Sequence, residues 1–183
     1  MCGIFGYCGN RNDAAEVVFE GLKRLEYRGY DSWGIATQVK SQSFDKLRMT
    51  LSKSKGQSGK PKIVIEKHVG KISAGKLRNL KSNLALGHTR WATHGGVTVA
   101  NAHPHLDCPG EIAVVHNGII ENYQELKKKL TSAGHRFKSE TDTETVVHLV
   151  EEYAKNKPFA EAVRSAFLDV SGLNAFVFLS ADG

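Results

Sequence analysis

The stretch that most restricts the fold is "EIAVVHNGIIENYQELKKKLTSAG", residues 111–134. Its apolar run is short and rich in valine, the pattern of a buried strand rather than of a helix. Asn-Gly breaks that strand. Helical spacing follows at once, with Asn122 as cap, Glu125 three positions on, Leu126 and Leu130 inward and Gly134 as the stop. A buried strand that turns directly into an amphipathic helix requires a sheet for the strand and a place on that sheet for the helix.

The same alternation recurs along the chain. "CGIFGYC" reads as a strand, followed by a helix capped by Asn12 or Asp13, with Glu16 in the capping position and Val18, Leu22 and Leu25 on one face. Gly29 ends that helix in "LEYRGYDSWGIA", and a second strand is expected over about Gly34 to Val39. "IVIEKHVG" predicts another strand, "KISAGKLRNLKSN" a modest helix and "LALGHTRW" a strand running into the long loop "ATHGGVTVANAHPHLDCPG". Loops of that length inside a compact domain are usually functional. Thr141 or Asp142 caps a helix carrying Val146, Val147, Leu149 and Val150, Pro158 opens another, and "NAFVFLS" is the last strand. No repeat is visible, and the order of elements is α+β.

At 183 residues the chain is about one domain long. Its net charge of +6 is local: residues 40–81 hold twelve of the 25 Lys and Arg but two of the 19 Asp and Glu, leaving −4 over the rest. That region has Phe44 alone to stack a base, so it reads as a solvated lysine-rich loop, about residues 41–62, and not as a nucleic-acid surface. Cys2, Cys8 and Cys108 form no CxxC pair, which fits a reducing, cytoplasmic setting. No apolar stretch has the length of a membrane helix, and no membrane partner is expected.

Chemistry begins with "MCGIFGY". Removal of Met1 from in front of the small Cys2 would leave a thiol and an α-amine on one residue, with ordinary pKa values of about 8.5 and about 7.7–8.0, so the amine is a suitable base for the thiol. The plainer alternative is a small residue entering a strand. Asn117 with Gly118 offers a donor pair for an oxyanion, or simply a favoured turn dipeptide. Arg90, ending an apolar strand, can take a carboxylate in bidentate fashion or sit at the surface. Asp142 can hold a substrate ammonium or cap its helix, and Trp91 can be pocket wall or core. His88, His94, His103, His105 and His116 fall within 29 residues, so zinc or iron must be weighed against neutral, pocket-lining imidazoles; no HExxH spacing accompanies them.

Together, "MCGIFGY", "LEYRGYDSWGIA", "GHTRWATHG", "NAHPH", "VVHNGIIENY" and "SETDTE" resemble the N-terminal glutamine amidotransferase domain of the glucosamine-6-phosphate synthases, also called glutamine-fructose-6-phosphate aminotransferases. Sibling families with the same N-terminal nucleophile, including those of purine biosynthesis, share the leading Cys-Gly-Ile and the Asn-Gly. "EYRGYDS" with "HTRWATHG" looks like the hexosamine branch. The resemblance implies a four-layer α/β/β/α sandwich of the N-terminal nucleophile hydrolase type, C-terminally incomplete at Gly183. It implies Cys2 as nucleophile, Asn117 and Gly118 as oxyanion hole, Arg90 for the glutamine carboxylate and Asp142 for its amino group. Thr93 and His94 are then pocket residues, Trp91 part of a mobile loop and Arg28 part of a neighbouring one that closes over the site. No metal or organic cofactor is implied. Fructose 6-phosphate would be bound only by sugar-isomerase domains absent from residues 1–183, and the full-length enzyme would be a homodimer. The alternatives are a purine-type glutaminase domain or a non-catalytic glutamine-binding module. Trp33, where the family usually has a small residue, is expected to crowd the turn after "YRGYDS".

Overall fold

The computed structural model describes residues 2–39, 61–78, 80–92 and 95–182. The lysine-rich loop, apart from its last two residues, lies outside them, as do Met1, Thr93 and His94. Two antiparallel sheets stack in the middle of the molecule. One has the order β1-β4-β2-β3, from β1 (Gly3–Cys8), β2 (Ser32–Val39), β3 (Lys62–Val69) and β4 (Leu84–Arg90). The other has the order β5-β6-β7, from β5 (His105–Leu106), β6 (Ile112–Gly118) and β7 (Asn174–Ser180).

Side-chain alternation explains the layers. In β4, Leu86 faces the second sheet, where with Ala36, Ala113, Val115 and Leu179 it makes the inter-sheet core, while Ala85 faces helix α1 (Ala14–Arg24). In β6, Ala113 and Val115 point to the first sheet, and Ile112 and Val114 to the helices α2 (Tyr123–Ser132), α3 (Thr143–Ala154) and α4 (Phe159–Asp169). Among the described residues, one helix, two sheets and three helices form the α/β/β/α sandwich. Among the described residues, no helix is long and apolar enough to cross a membrane.

Three local expectations are corrected. "KISAGKLRNLKSN" is not a helix: a single 3₁₀ turn, Ile72–Ala74, buries Ile72 under α1, and the chain then runs irregularly, with Leu77 against the same cluster. The caps do not cap. The Asp13 carboxylate takes the Arg11 guanidinium, the Asn122 side chain bonds Asp169 and Ser171, and Asp142 reaches Ile120, so none of the three closes a helix N-terminus with its side chain. Trp33 does not crowd the turn after "YRGYDS". It points to the α1 side, 1% exposed, with its ring 5.3 Å from Phe19 and stacked at 4.4 Å on His68.

Candidate active site

Antiparallel pairing assembles the site. The register Gly3↔Thr89 lays the start of β1 beside the end of β4, and the pair is pinned by Gly3 N–H donating to Thr89 Oγ1 at 3.2 Å. Cys2 is thereby held where β4 ends, and the Trp91 backbone N–H donates to its Sγ at 3.1 Å. Arg90 is buried there. Its Nη1 donates to the Gly96 carbonyl at 3.1 Å, and the backbone at Gly29 passes so close behind that a Cβ at that position would sit 2.8 Å from the Thr89 oxygen. Burial lowers the guanidinium pKa, opposed by the negative potential of Cys2, Asp31 and Asp142. Asp31 fixes the turn beyond the strand by accepting Ala92 N–H at 2.9 Å.

The second sheet supplies the facing wall. Asn117, at the end of β6, points across the sandwich and donates from Nδ2 to the Cys2 carbonyl at 3.2 Å. Its orientation is set by His88 Nε2, which donates to Asn117 Oδ1 at 3.1 Å and to the His116 carbonyl at 3.0 Å; with Oδ1 occupied, Nδ2 must face Cys2. Gly118 follows with φ +136°, and a Cβ there would lie 2.4 Å from the Leu173 carbonyl. Any other residue is excluded by both the backbone angle and the space. Asp142 is 6% exposed and accepts Ile120 N–H through Oδ2 at 2.8 Å, which holds the start of α3 against the end of β6.

These groups surround one cavity of about 570 Å³, lined by Cys2, Arg28, Arg90, Trp91, Asn117, Gly118 and Asp142 among others. Seven of the nine site residues expected from the sequence therefore meet at one place. The other two, Thr93 and His94, lie outside the described residues. Trp91 is pocket wall rather than core: it is 45% exposed and packs edge-on against Tyr30 at 5.4 Å. Neither Arg90 nor Asp142 takes the plainer alternative, since Arg90 is buried and Asp142 makes no side-chain cap bond.

The histidines are internal struts. His88 and His103 pack at a tilt of 35° with centroids 4.2 Å apart, His103 Nδ1 accepts His116 N–H at 3.3 Å, His105 Nε2 lies 3.0 Å from Thr141 Oγ1, and His116 bridges Thr143 Oγ1 and Asn174 Oδ1 at 2.9 and 2.8 Å. Burial drives the His88 pKa down to about 4 and lowers those of His103, His105 and His116, so all four are neutral at pH 7. Each ring has at least one nitrogen on a protein partner, and His88 Nδ1 is buried without one. The sequence grouped His88 with the other clustered histidines but did not identify it as the residue that aims Asn117. No local signal marks it, because the contact joins strands of different sheets.

Residues 67–167 match the family described as the glutamine amidotransferase domain. The chain is 50% identical over 187 residues to the glutamine-fructose-6-phosphate aminotransferase (isomerizing) of Pyrococcus horikoshii and 48% identical over 182 residues to that of Thermus thermophilus. Each alignment covers 100% of this chain but 28% and 27% of the relative. The chain thus spans little more than a quarter of the length of the curated relatives it matches. Among solved structures, the glutamine phosphoribosylpyrophosphate amidotransferase from B. subtilis, complexed with ADP and GMP, superposes with a TM-score of 0.74 at 23% identity, covering 99% of this chain and 35% of that one. The allosteric regulatory enzyme of purine biosynthesis gives a TM-score of 0.75 at 24% identity, covering 99% and 36%. Both share the sandwich.

Proposed function

The chain belongs to the glutamine amidotransferase domain family, and from that premise we propose that it hydrolyses glutamine through a γ-glutamyl thioester on Cys2 and supplies the ammonia for glucosamine 6-phosphate synthesis. The observation that carries the reading is the convergence of Cys2, Asn117, Gly118, Arg90 and Asp142 on a single cavity.

With Met1 removed, the Cys2 α-amine takes the thiol proton and Sγ attacks the side-chain carbonyl carbon of glutamine. Negative charge develops on the amide oxygen. The Asn117 Nδ2–H, released from the Cys2 carbonyl or shared with it, and the Gly118 N–H stabilise that charge. Collapse breaks the C–N bond, the ammonium returns its proton to the leaving nitrogen, and ammonia departs. Water then attacks the thioester, the amine accepts its proton, and glutamate leaves with Cys2 restored. Arg90 pairs with the substrate α-carboxylate and Asp142 with its α-ammonium, which places the amide at Sγ. Trp91 and Arg28 on the rim, with Thr93 and His94, complete the pocket and its closure.

The hexosamine branch is favoured over the purine branch because identity is 50% and 48% to the aminotransferases but 23% and 24% to the purine-type structures. Fructose 6-phosphate is assigned to the part of the relatives that this chain does not span. We place the protein in the cytoplasm on its three free thiols, Cys2, Cys8 and Cys108. Purified chain incubated with glutamine should release glutamate and show an intact mass lacking Met1, and Cys2→Ala should abolish release. Glutamine binding without turnover by the wild type would establish the non-catalytic alternative instead.

A further inference from the structure

A second cluster of nucleophilic and titratable side chains lies outside the cavity, on three separate elements. Cys108 is in the turn between β5 and β6, His135 follows α2, and His148 and Glu151 are one turn apart on α3. Glu151 Oε2 is the focus. It accepts the Cys108 N–H at 3.0 Å and faces His135 Nδ1 and His148 Nδ1, each at 3.0 Å. Cys108 Sγ stands 3.8 Å from the first of these nitrogens and 3.7 Å from the second, and one ligand atom from each of the four residues falls within 4.8 Å of the others.

That spacing is close to the edge lengths of a coordination tetrahedron. Zinc bonds of about 2.3 Å to sulfur and about 2.0–2.1 Å to imidazole nitrogen or carboxylate oxygen give S···N edges of about 3.6 Å and N···O edges of about 3.4 Å. The two sulfur–nitrogen and two nitrogen–oxygen separations differ from these by a few tenths of an ångström, and the remaining pairs, within 4.8 Å, close by side-chain rotation. Imidazole polarity agrees. Both rings turn Nδ1 inward and Nε2 outward to a carboxylate, His135 toward Glu152 Oε2 at 2.8 Å and His148 toward Glu144 Oε1 at 3.6 Å. In His135 the carboxylate is hydrogen-bonded to the distal nitrogen, the arrangement that orients metal-bound imidazoles and raises their basicity. His148 is 1% exposed, and its Nε2 has no hydrogen-bond partner.

We propose that Cys108, His135, His148 and Glu151 bind one zinc ion. A thiolate, two imidazoles and a carboxylate suit zinc and are too soft a set for magnesium or calcium. Four protein ligands complete the tetrahedron, so the ion is structural: it ties the β5–β6 turn and the segment after α2 to α3, the helix that begins behind Asp142. The site is distinct from the five-histidine grouping of the sequence and independent of the glutaminase reading.

The test uses the full chain carrying Cys2→Ala and Cys8→Ser, so that Cys108 is its sole thiol. After stripping with a chelator, it should bind one equivalent of Zn²⁺ in competition with a chromophoric chelator. Its Co²⁺ form should show a thiolate-to-metal charge-transfer band and the intense visible bands of tetrahedral geometry. Cys108→Ser should remove the charge-transfer band and weaken Zn²⁺ binding by about 100-fold or more, and Glu152→Gln should weaken it by about 10-fold through His135 alone. A Co²⁺ spectrum without the thiolate band in the parent, whose site is unaltered, would overturn the proposal. So would Zn²⁺ affinity equal in the parent and in Cys108→Ser.

Discussion

Acid should weaken this fold through His88, and the size of the effect follows from its surroundings. The ring is fully buried, packed at a tilt against His103 and close enough to feel Arg90, and burial holds its pKa at about 4 against an ordinary 6.5. The unfolded chain therefore takes up a proton near pH 6.5 that the native state refuses until about pH 4, so stability falls as pH drops through that window. At about 1.4 kcal/mol per pH unit the whole window is worth about 3 kcal/mol, of which about 2 kcal/mol is lost between pH 7 and pH 5. His103, His105 and His116 act in the same direction. His148 opposes them: its raised pKa gives stability that is present below pH 6.5 and lost as pH rises through the folded value. The comparison must therefore be differential. His88→Gln keeps an N–H donor for Asn117 and cannot titrate. Urea melts with chelator present, at pH 7 and pH 5, should show the wild type losing about 2 kcal/mol more than the variant. Equal losses in the two proteins would refute a neutral, buried His88.

The substrate handles and the oxyanion donor should separate kinetically. Asn117→Ala should lower kcat of glutamate release by roughly 100-fold or more with little change in KM; Arg90→Ala should chiefly raise KM, by the loss of a charge pair worth on the order of 2–5 kcal/mol. The reverse pattern in steady-state kinetics would reassign both. Gly118→Ala sets a Cβ 2.4 Å from the Leu173 carbonyl at φ +136°, and should lower stability by about 2–3 kcal/mol in a denaturant melt; a melt superposable on the wild type would contradict the geometry.

The parts of the fold legible in the sequence are those decided by local pattern. Ile112 to Val115 alternate between the helix side and the inter-sheet core, and Gly134, at φ +97°, ends α2 where expected. The parts that were not legible are decided by distant partners. Ile72 and Leu77 are both claimed by the cluster under α1, and only a single 3₁₀ turn, Ile72–Ala74, forms there. Asp13, Asn122 and Asp142 stand where caps stand but bond elsewhere. The cavity residues Cys2, Arg90, Asn117 and Asp142 could be identified as candidates because their chemistry is distinctive, while His88, which orients one of them, was read only as one of five clustered histidines. Cys108, His135, His148 and Glu151 are spread over 44 positions, and only the packing of α3 against the β5–β6 turn brings them together.

The pairing of β1 with β4 has a consequence for how the molecule is made. Cys2 waits for partners 89 and 115 positions further along, Trp91 and Asn117, so the first residue of the site to leave the ribosome is the last to be enclosed. Contacts of such sequence separation form slowly. Throughout that interval Cys2 is an uncovered thiol, open to any oxidant. On the proposed mechanism, oxidation of that thiol before the sandwich closes leaves a folded protein without its nucleophile.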